Sequence, residues 1–283
     1  MENNTTFIIQ NSKKWINPLL SYFINIKSID DNIEFLRISL CSLPNFSSNK
    51  LFFYLDKSSK NFLSLNNFIE FLEEMRIPFE ERYLRIFIHN FDKDGDFSIN
   101  KKELLGLILP KKNINLAEKV KKNENNYNNN IEDIVTNNMK NIFGKILCEE
   151  LELVNNCIIS AKSCKEIMGF TLFEAFCLIS EKNKYITNNL LYNFLLKNNV
   201  DINMNDIHQL MFRLDADNDG KISFEEFKEI FFPIKGEEII YKNKYNFIVN
   251  NCNYINFEKI EKENKEKFLG NKGNKINNLV IKN

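Results

Sequence analysis

The chain has 283 residues, room for two domains and an appendage. Its 43% hydrophobic content, with 26 Phe, is enough to fill packed cores and excludes global disorder. Lys plus Arg and Asp plus Glu both number 38, so the formal net charge is zero and a basic nucleic-acid-binding surface is not indicated.

In chain order, residues 1–12 are polar and read as a loose N-terminus. Residues 13–44 read as a helical arm, with Ile29, Ile33, Leu36 and Leu40 along one face and Pro44 at its end. Trp15 reads as an anchor at the start of this arm, with a partner contact as the alternative. Residues 45–110 contain Leu84, Phe87, Ile88 and Phe91 at helical spacing, followed by the acidic loop 92–103. Residues 111–130 are rich in Lys and Asn and predict a flexible linker. A second arm is expected over 131–165, with Ile142, Ile146, Leu153 and Cys157 near one face. Residues 166–236 repeat the first pattern: Ile207, Leu210, Met211 and Leu214 precede a second acidic loop, 215–226. A C-terminal arm over 237–269 and a disordered tail over 270–283 complete the expectation.

Loop 215–226 places carboxylates at its positions 1, 3 and 5 (Asp215, Asp217, Asp219), glycine at position 6 (Gly220) and Glu226 at position 12. A hard dication of calcium's size takes six to eight oxygens, and this spacing supplies them from one short segment. The three Asp side chains, the Lys221 carbonyl, Ser223 and a bidentate Glu226 are the expected ligands. Gly220 supplies the positive φ of the bend between them. Loop 92–103 repeats this with Asp92, Asp94, Asp96, Ser98, Asn100 and Glu103. It departs at position 6, where Phe97 replaces glycine. Holding a bulky residue left-handed costs about 1–2 kcal/mol, which predicts a weaker site. These residues resemble the EF-hand superfamily, and calmodulin-like proteins in particular.

The resemblance implies that such hands come in pairs, joined at loop position 8 by a short β ribbon. Upstream of each acidic loop a degenerate partner is found. Segment 56–67 keeps Asp56 and Leu63 but has Lys60 and Asn67 where ligands belong. Segment 179–190 keeps Ile186 but has Ile179 and Leu190 at the outer ligand positions. The offset that carries Asp92 onto Asp215 also carries Ile99 onto Ile222, Glu103 onto Glu226 and Pro110 onto Pro233. The expected architecture is therefore all-α. It consists of two lobes, each a silent hand followed by a calcium hand, and each preceded by a helical arm.

Six cysteines without a Cys-x-x-Cys spacing read as reduced core thiols of a cytoplasmic protein. No signal peptide is expected, no membrane span either, since no apolar run approaches the length one needs, and no myristoylation, since Glu2 and not glycine follows Met1. His89 and His208 form no catalytic constellation, and phosphate loops and zinc spacings are missing, so no enzyme is expected. The resemblance implies calcium as cofactor, with one strong and one weaker site and magnesium as a competitor. It implies a calcium sensor or regulatory adaptor that binds an amphipathic partner helix. The alternative is a structural cytoskeletal or axonemal component; the long arms favour it, as does the modest Met count of six, which is poor for a promiscuous groove.

Overall fold

The structure is a computed structural model. It describes residues 2–44, 46–125 and 135–233, with side chains over 14–44, 46–123 and 135–233. The expected arm at 237–269 and tail at 270–283 lie outside the described residues, as does the Asn128–Asn130 run.

Two long helices form a spine. α1 (Glu2–Cys41) and α7 (Asn137–Glu166) run antiparallel along each other. The Cys164 thiol lies 3.8 Å from the Trp15 carbonyl, Asn25 donates to Ser160 at 3.3 Å, and Asn32 donates to Glu149 at 3.4 Å. Leu19, Phe23, Ile26, Ile33 and Leu40 of α1, with Phe143, Ile146, Leu147 and Leu153 of α7, are fully or nearly fully buried. Each such side chain contributes about 1.5–3 kcal/mol. α7 starts on Thr136, whose hydroxyl accepts the Met139 N–H at 3.2 Å.

Four short helices hang on each end of the spine. The first lobe contains α2 (Ser48–Leu55), α3 (Leu65–Glu74), α4 (Glu81–Phe91) and α5 (Lys101–Ile108). The second contains α8 (Leu172–Ile179), α9 (Asn188–Lys197), α10 (Met204–Leu214) and α11 (Phe224–Glu229). β1 (Ile186–Thr187) pairs antiparallel with β2 (Lys221–Ile222), with Ile186 opposite Ile222. In the first lobe Leu63 and Ile99 exchange two main-chain hydrogen bonds of 2.9 Å. The described residues are thus all-α, with these two small antiparallel contacts.

The arms cross over. α7 precedes the second lobe, yet its first half covers the first: the Phe143 ring lies 5.3 Å from that of Phe71, and Lys140 pairs with Glu74 at 3.1 Å. Gly144 makes this approach feasible, because a Cβ there would lie 3.0 Å from the Ile77 terminal methyl. α1 precedes the first lobe, yet its first half covers the second: Trp15 meets Phe170 edge-on at 5.6 Å and Phe23 meets Phe194 at 6.5 Å. The Trp15 anchor thus docks on the distant lobe. Both lobes belong to one compact unit, Met1–Ile234.

Two expectations are corrected. The segment expected to be loose at 1–12 is helical from Glu2 onward, continuous with the arm. Pro18 sits inside this helix. The expected linker at 111–130 contains α6 (Ile114–Asn125). Its Lys and Asn composition hides a short apolar strip, Ala117 and Val120, which packs with Cys41 and Leu109 in a small separate core.

Candidate metal centres

Loop 215–226 joins α10 to α11. In it, carboxylate oxygens of Asp215, Asp217 and Glu226 lie within 4.8 Å of one another. Two oxygens bound to one calcium ion at about 2.4 Å can be at most about 5 Å apart, so these three fit a common ion. Asp215 is buried; its two oxygens accept the Asp219 N–H at 3.1 Å and the Gly220 N–H at 2.8 Å. Burial pushes the Asp215 carboxyl above its ordinary pKa, and the nearby Glu226 charge adds to the rise. Gly220 has φ +82° and Asn218, two residues earlier, has φ +59°. Ser223 caps α11: its hydroxyl accepts the Glu226 N–H at 3.2 Å, and Glu226 returns one oxygen to the Ser223 N–H at 2.7 Å. The other Glu226 oxygen accepts the Ala216 N–H at 2.8 Å, which folds the carboxylate back over the loop. Asp219 stands outside the cluster and accepts the Lys221 N–H at 2.8 Å; Lys221 lies in β2 opposite Thr187.

Loop 92–103 joins α4 to α5 with the same plan. Here Asp92, Asp94 and Asp96 form the cluster, and Glu103 is not among them. Glu103 accepts the Lys93 N–H at 2.7 Å and the Asn100 N–H at 2.9 Å. Asn100 caps α5 with its carbonyl oxygen and donates to Asp94 at 3.2 Å, while the Ser98 hydroxyl is bound to Asp96 at 2.7 Å. Phe97 takes φ +63° and is 77% exposed, so its ring gains little burial in return for the strained backbone. Its N–H donates to Asp92 at 2.8 Å, as Gly220 does to Asp215.

The two degenerate loops differ from each other. In 56–67, Asp56 accepts the Lys60 and Asn61 N–H groups at 3.0 and 2.7 Å, and Ser59 and Asn61 have positive φ. Asn67 takes the structural part of the closing glutamate: it accepts the Ser64 N–H at 2.9 Å and donates to the Leu55 carbonyl at 2.9 Å. The loop keeps the shape of 92–103 without its charge. The third loop does not. α8 runs through Ile179, so only 180–187 connects it to α9, one residue fewer than the 56–64, 92–100 and 215–223 connections.

A cleft of about 690 Å³ lies between the two acidic loops, with Asp94 and Glu103 on one wall and Asn218, Glu226 and Glu229 on the other. The Lys93 ammonium spans it to the Ala216 carbonyl at 3.5 Å. Beneath it runs a buried charge network. Arg213, two residues ahead of Asp215, donates through Nε to both oxygens of Asp30 at 2.9 Å and through its terminal nitrogens to Glu150 at 3.0 Å. Arg37 donates to Glu150 at 3.2 Å and to the Leu107 carbonyl at 2.7 Å. Burial opposes the Arg213 charge, but Glu150 and Asp30 outweigh it and hold its pKa above the ordinary value. Sequence reasoning missed this network. The signal was present as charges at apolar-face positions: Asp30 beside Ile29, Glu34 beside Ile33, Glu150 beside Leu151.

His208 is exposed and His89 half-buried, with neither in a carboxylate cluster. No helix among the described residues is long and apolar enough to cross a membrane. No protein-family model matches the chain, and no curated protein matches it in sequence.

Proposed function

We propose that this chain is a non-catalytic calcium-binding protein of the EF-hand type. Loop 215–226 would be its stronger site and loop 92–103 its weaker one. The observation that carries this reading is the pair of carboxylate clusters, each small enough for one ion, in loops that bind their first aspartate in the same way. Asp215, Asp217 and Glu226 would hold the ion in one, Asp92, Asp94 and Asp96 in the other. Asp219 and Glu103 would turn inward from their present main-chain bonds. An ion in either loop neutralises clustered carboxylates and fixes the arrangement of the surrounding oxygens.

The sensor reading with an external partner helix needs an open apolar face on each lobe. What favours the structural alternative is that α1 and α7 already cover these faces, through Trp15 on Phe170 and Phe143 on Phe71. The lobes take the chain's own arms as their helical ligands. A role as a calcium-stabilised helical scaffold, suited to a cytoskeletal assembly, follows most directly.

Calorimetry on the full chain tests the calcium reading. Two binding events are expected, the tighter near about 10⁻⁷–10⁻⁵ M, with Glu226→Gln removing it. No heat at millimolar calcium overturns the reading. An apolar dye added to the calcium-loaded chain separates the roles: no fluorescence rise is expected from the scaffold, and a strong rise supports the open-groove sensor.

A further inference from the structure

We propose that the protein holds a small phosphate monoester in a second cleft, between α10 and the start of α6. The cleft shares no residue with either acidic loop, so this inference does not rest on the calcium reading.

The cleft has a volume of about 420 Å³, ample for a small phosphorylated molecule. α1 and α10 line it with Arg37 and Arg213, and the chain entering α6 adds Lys111 and Lys112. Three of these four cations have carboxylate partners: Arg37 is paired with Glu150 at 3.2 Å, Arg213 with Asp30, and Lys112 with Asp31 at 2.6 Å. Lys111 is the exception. Its ammonium has only neutral partners among the described residues, the Gly106 carbonyl at 2.7 Å and the Phe212 ring at 4.1 Å. At this ammonium the repulsion of Arg37 and Arg213 outweighs the attraction of Glu34 and Glu150. An anion beside it therefore meets a net attraction. Asp30 is the one carboxylate lining the cleft, and Arg213 occupies both of its oxygens.

A second unmet group faces the same space. Gln209 lines the cleft, is 9% exposed, and its buried Oε1 has no hydrogen-bond partner. A buried acceptor left alone costs stability, so what completes it is a donor. α6 meets the cleft at its first residue, Ile114, and has no acidic residue in its first turn, which leaves the positive end of its dipole unanswered. Helix starts of this kind favour phosphate groups.

The ligand must thus accept from Lys111 and donate to Gln209. Sulfate does only the first, having no proton near neutral pH. A phosphate monoester does both, because its second pKa of about 6 leaves a proton on part of the population. The exposed side chains of Ile114 and Phe212 give its organic part an apolar surface to rest on.

Calorimetry on the full chain in calcium-free buffer at pH 6 tests this, with inorganic phosphate, phenyl phosphate and sulfate titrated at constant ionic strength. Phenyl phosphate should bind several-fold tighter than inorganic phosphate, and sulfate about tenfold more weakly than inorganic phosphate. Lys111→Met should weaken phenyl phosphate binding by about tenfold or more. Gln209→Leu, which removes an unmet polar atom, should fold normally and bring sulfate to within about threefold of inorganic phosphate. Lys162→Met, an exposed change outside the cleft, should alter nothing. Absence of heat with millimolar phenyl phosphate overturns the proposal, as does equal binding of sulfate and phosphate by the parent, or unchanged binding in Lys111→Met. Inorganic phosphate binding as tightly as phenyl phosphate overturns the ester.

Discussion

Arg213 and Glu150 are joined by two hydrogen bonds of 3.0 Å, and through them a residue two places ahead of the 215–226 loop is fixed to the middle of the spine. Glu150 also receives Arg37, so one carboxylate holds an arginine from α10 and another from α1. Removing one partner from a buried set of this kind costs roughly 3–5 kcal/mol, because the remaining charges stay buried. Glu150→Leu is therefore expected to lower the urea midpoint of the whole Met1–Ile234 unit, with loss of secondary structure and of tryptophan burial coinciding. Loss confined to the second lobe would contradict it.

Phe97 is the clearest local misfit. Its left-handed backbone carries a strain of about 1–2 kcal/mol, and its exposed ring returns little. Phe97→Gly should raise stability by about 1 kcal/mol in thermal or urea unfolding. If the relief is realised on metal binding, calcium affinity at 92–103 should tighten by up to roughly tenfold.

Lys111 sits beside the charge network, its ammonium bonded to the Gly106 carbonyl at 2.7 Å and 4.1 Å above the Phe212 ring. Burial, with Arg37 and Arg213 nearby, lowers its pKa to about 7, against partial opposition from Glu34 and Glu150. The unfolded chain has the ordinary value of 10.5, so between about pH 7 and 10.5 the unfolded state binds more protons. Lys111 thus opposes folding fully below pH 7, and the penalty fades as pH rises toward 10.5. Lys111→Met should stabilise the protein at pH 6.5, and its advantage over the parent should shrink at pH 9.5. Urea midpoints of both proteins at the two pH values measure this; an advantage that grows with pH would refute it.

The thiols should divide sharply in reactivity. Burial pushes Cys157 and Cys164 up to about 12, leaving them almost wholly protonated at pH 8. Cys148 is exposed, with a smaller rise from partial burial and its Glu149 and Glu152 neighbours. Iodoacetamide at pH 8 should modify Cys148 of the native protein well before the half-buried Cys157 or the buried Cys164, as read by peptide mass spectrometry. Early labelling of Cys157 or Cys164 would show that the spine opens.

The loops were legible because their constraints are local. Asp at positions 1, 3 and 5, with Gly220 at position 6 of one loop, can be read within twelve residues, and Asp92, Asp94 and Asp96 do lie together. The helical faces of the arms were largely plain: Ile29, Ile33, Leu40, Ile146 and Leu153 are buried, while Leu36, Ile142 and Cys157 are half-buried. What could not be read was which lobe each arm covers. Trp15 and Phe170 are far apart in sequence, and periodicity gives a face without naming its partner. Composition also misled where polar residues dominate, since the packed positions of α6 that matter are only a few among many Lys and Asn.

The missing residue in the 180–187 connection separates the two degenerate loops into different kinds of loss. Loop 56–67 retains its turns, its first aspartate and its cap, so Lys60→Asp with Asn67→Glu restores a full set of carboxylates on a backbone already bent for them. In the third loop no exchange of side chains does this, because α8 extends into the first ligand position and the chain beyond it is too short. One silence is written in side chains and is reversible by substitution. The other is written in chain length, and only an insertion could undo it.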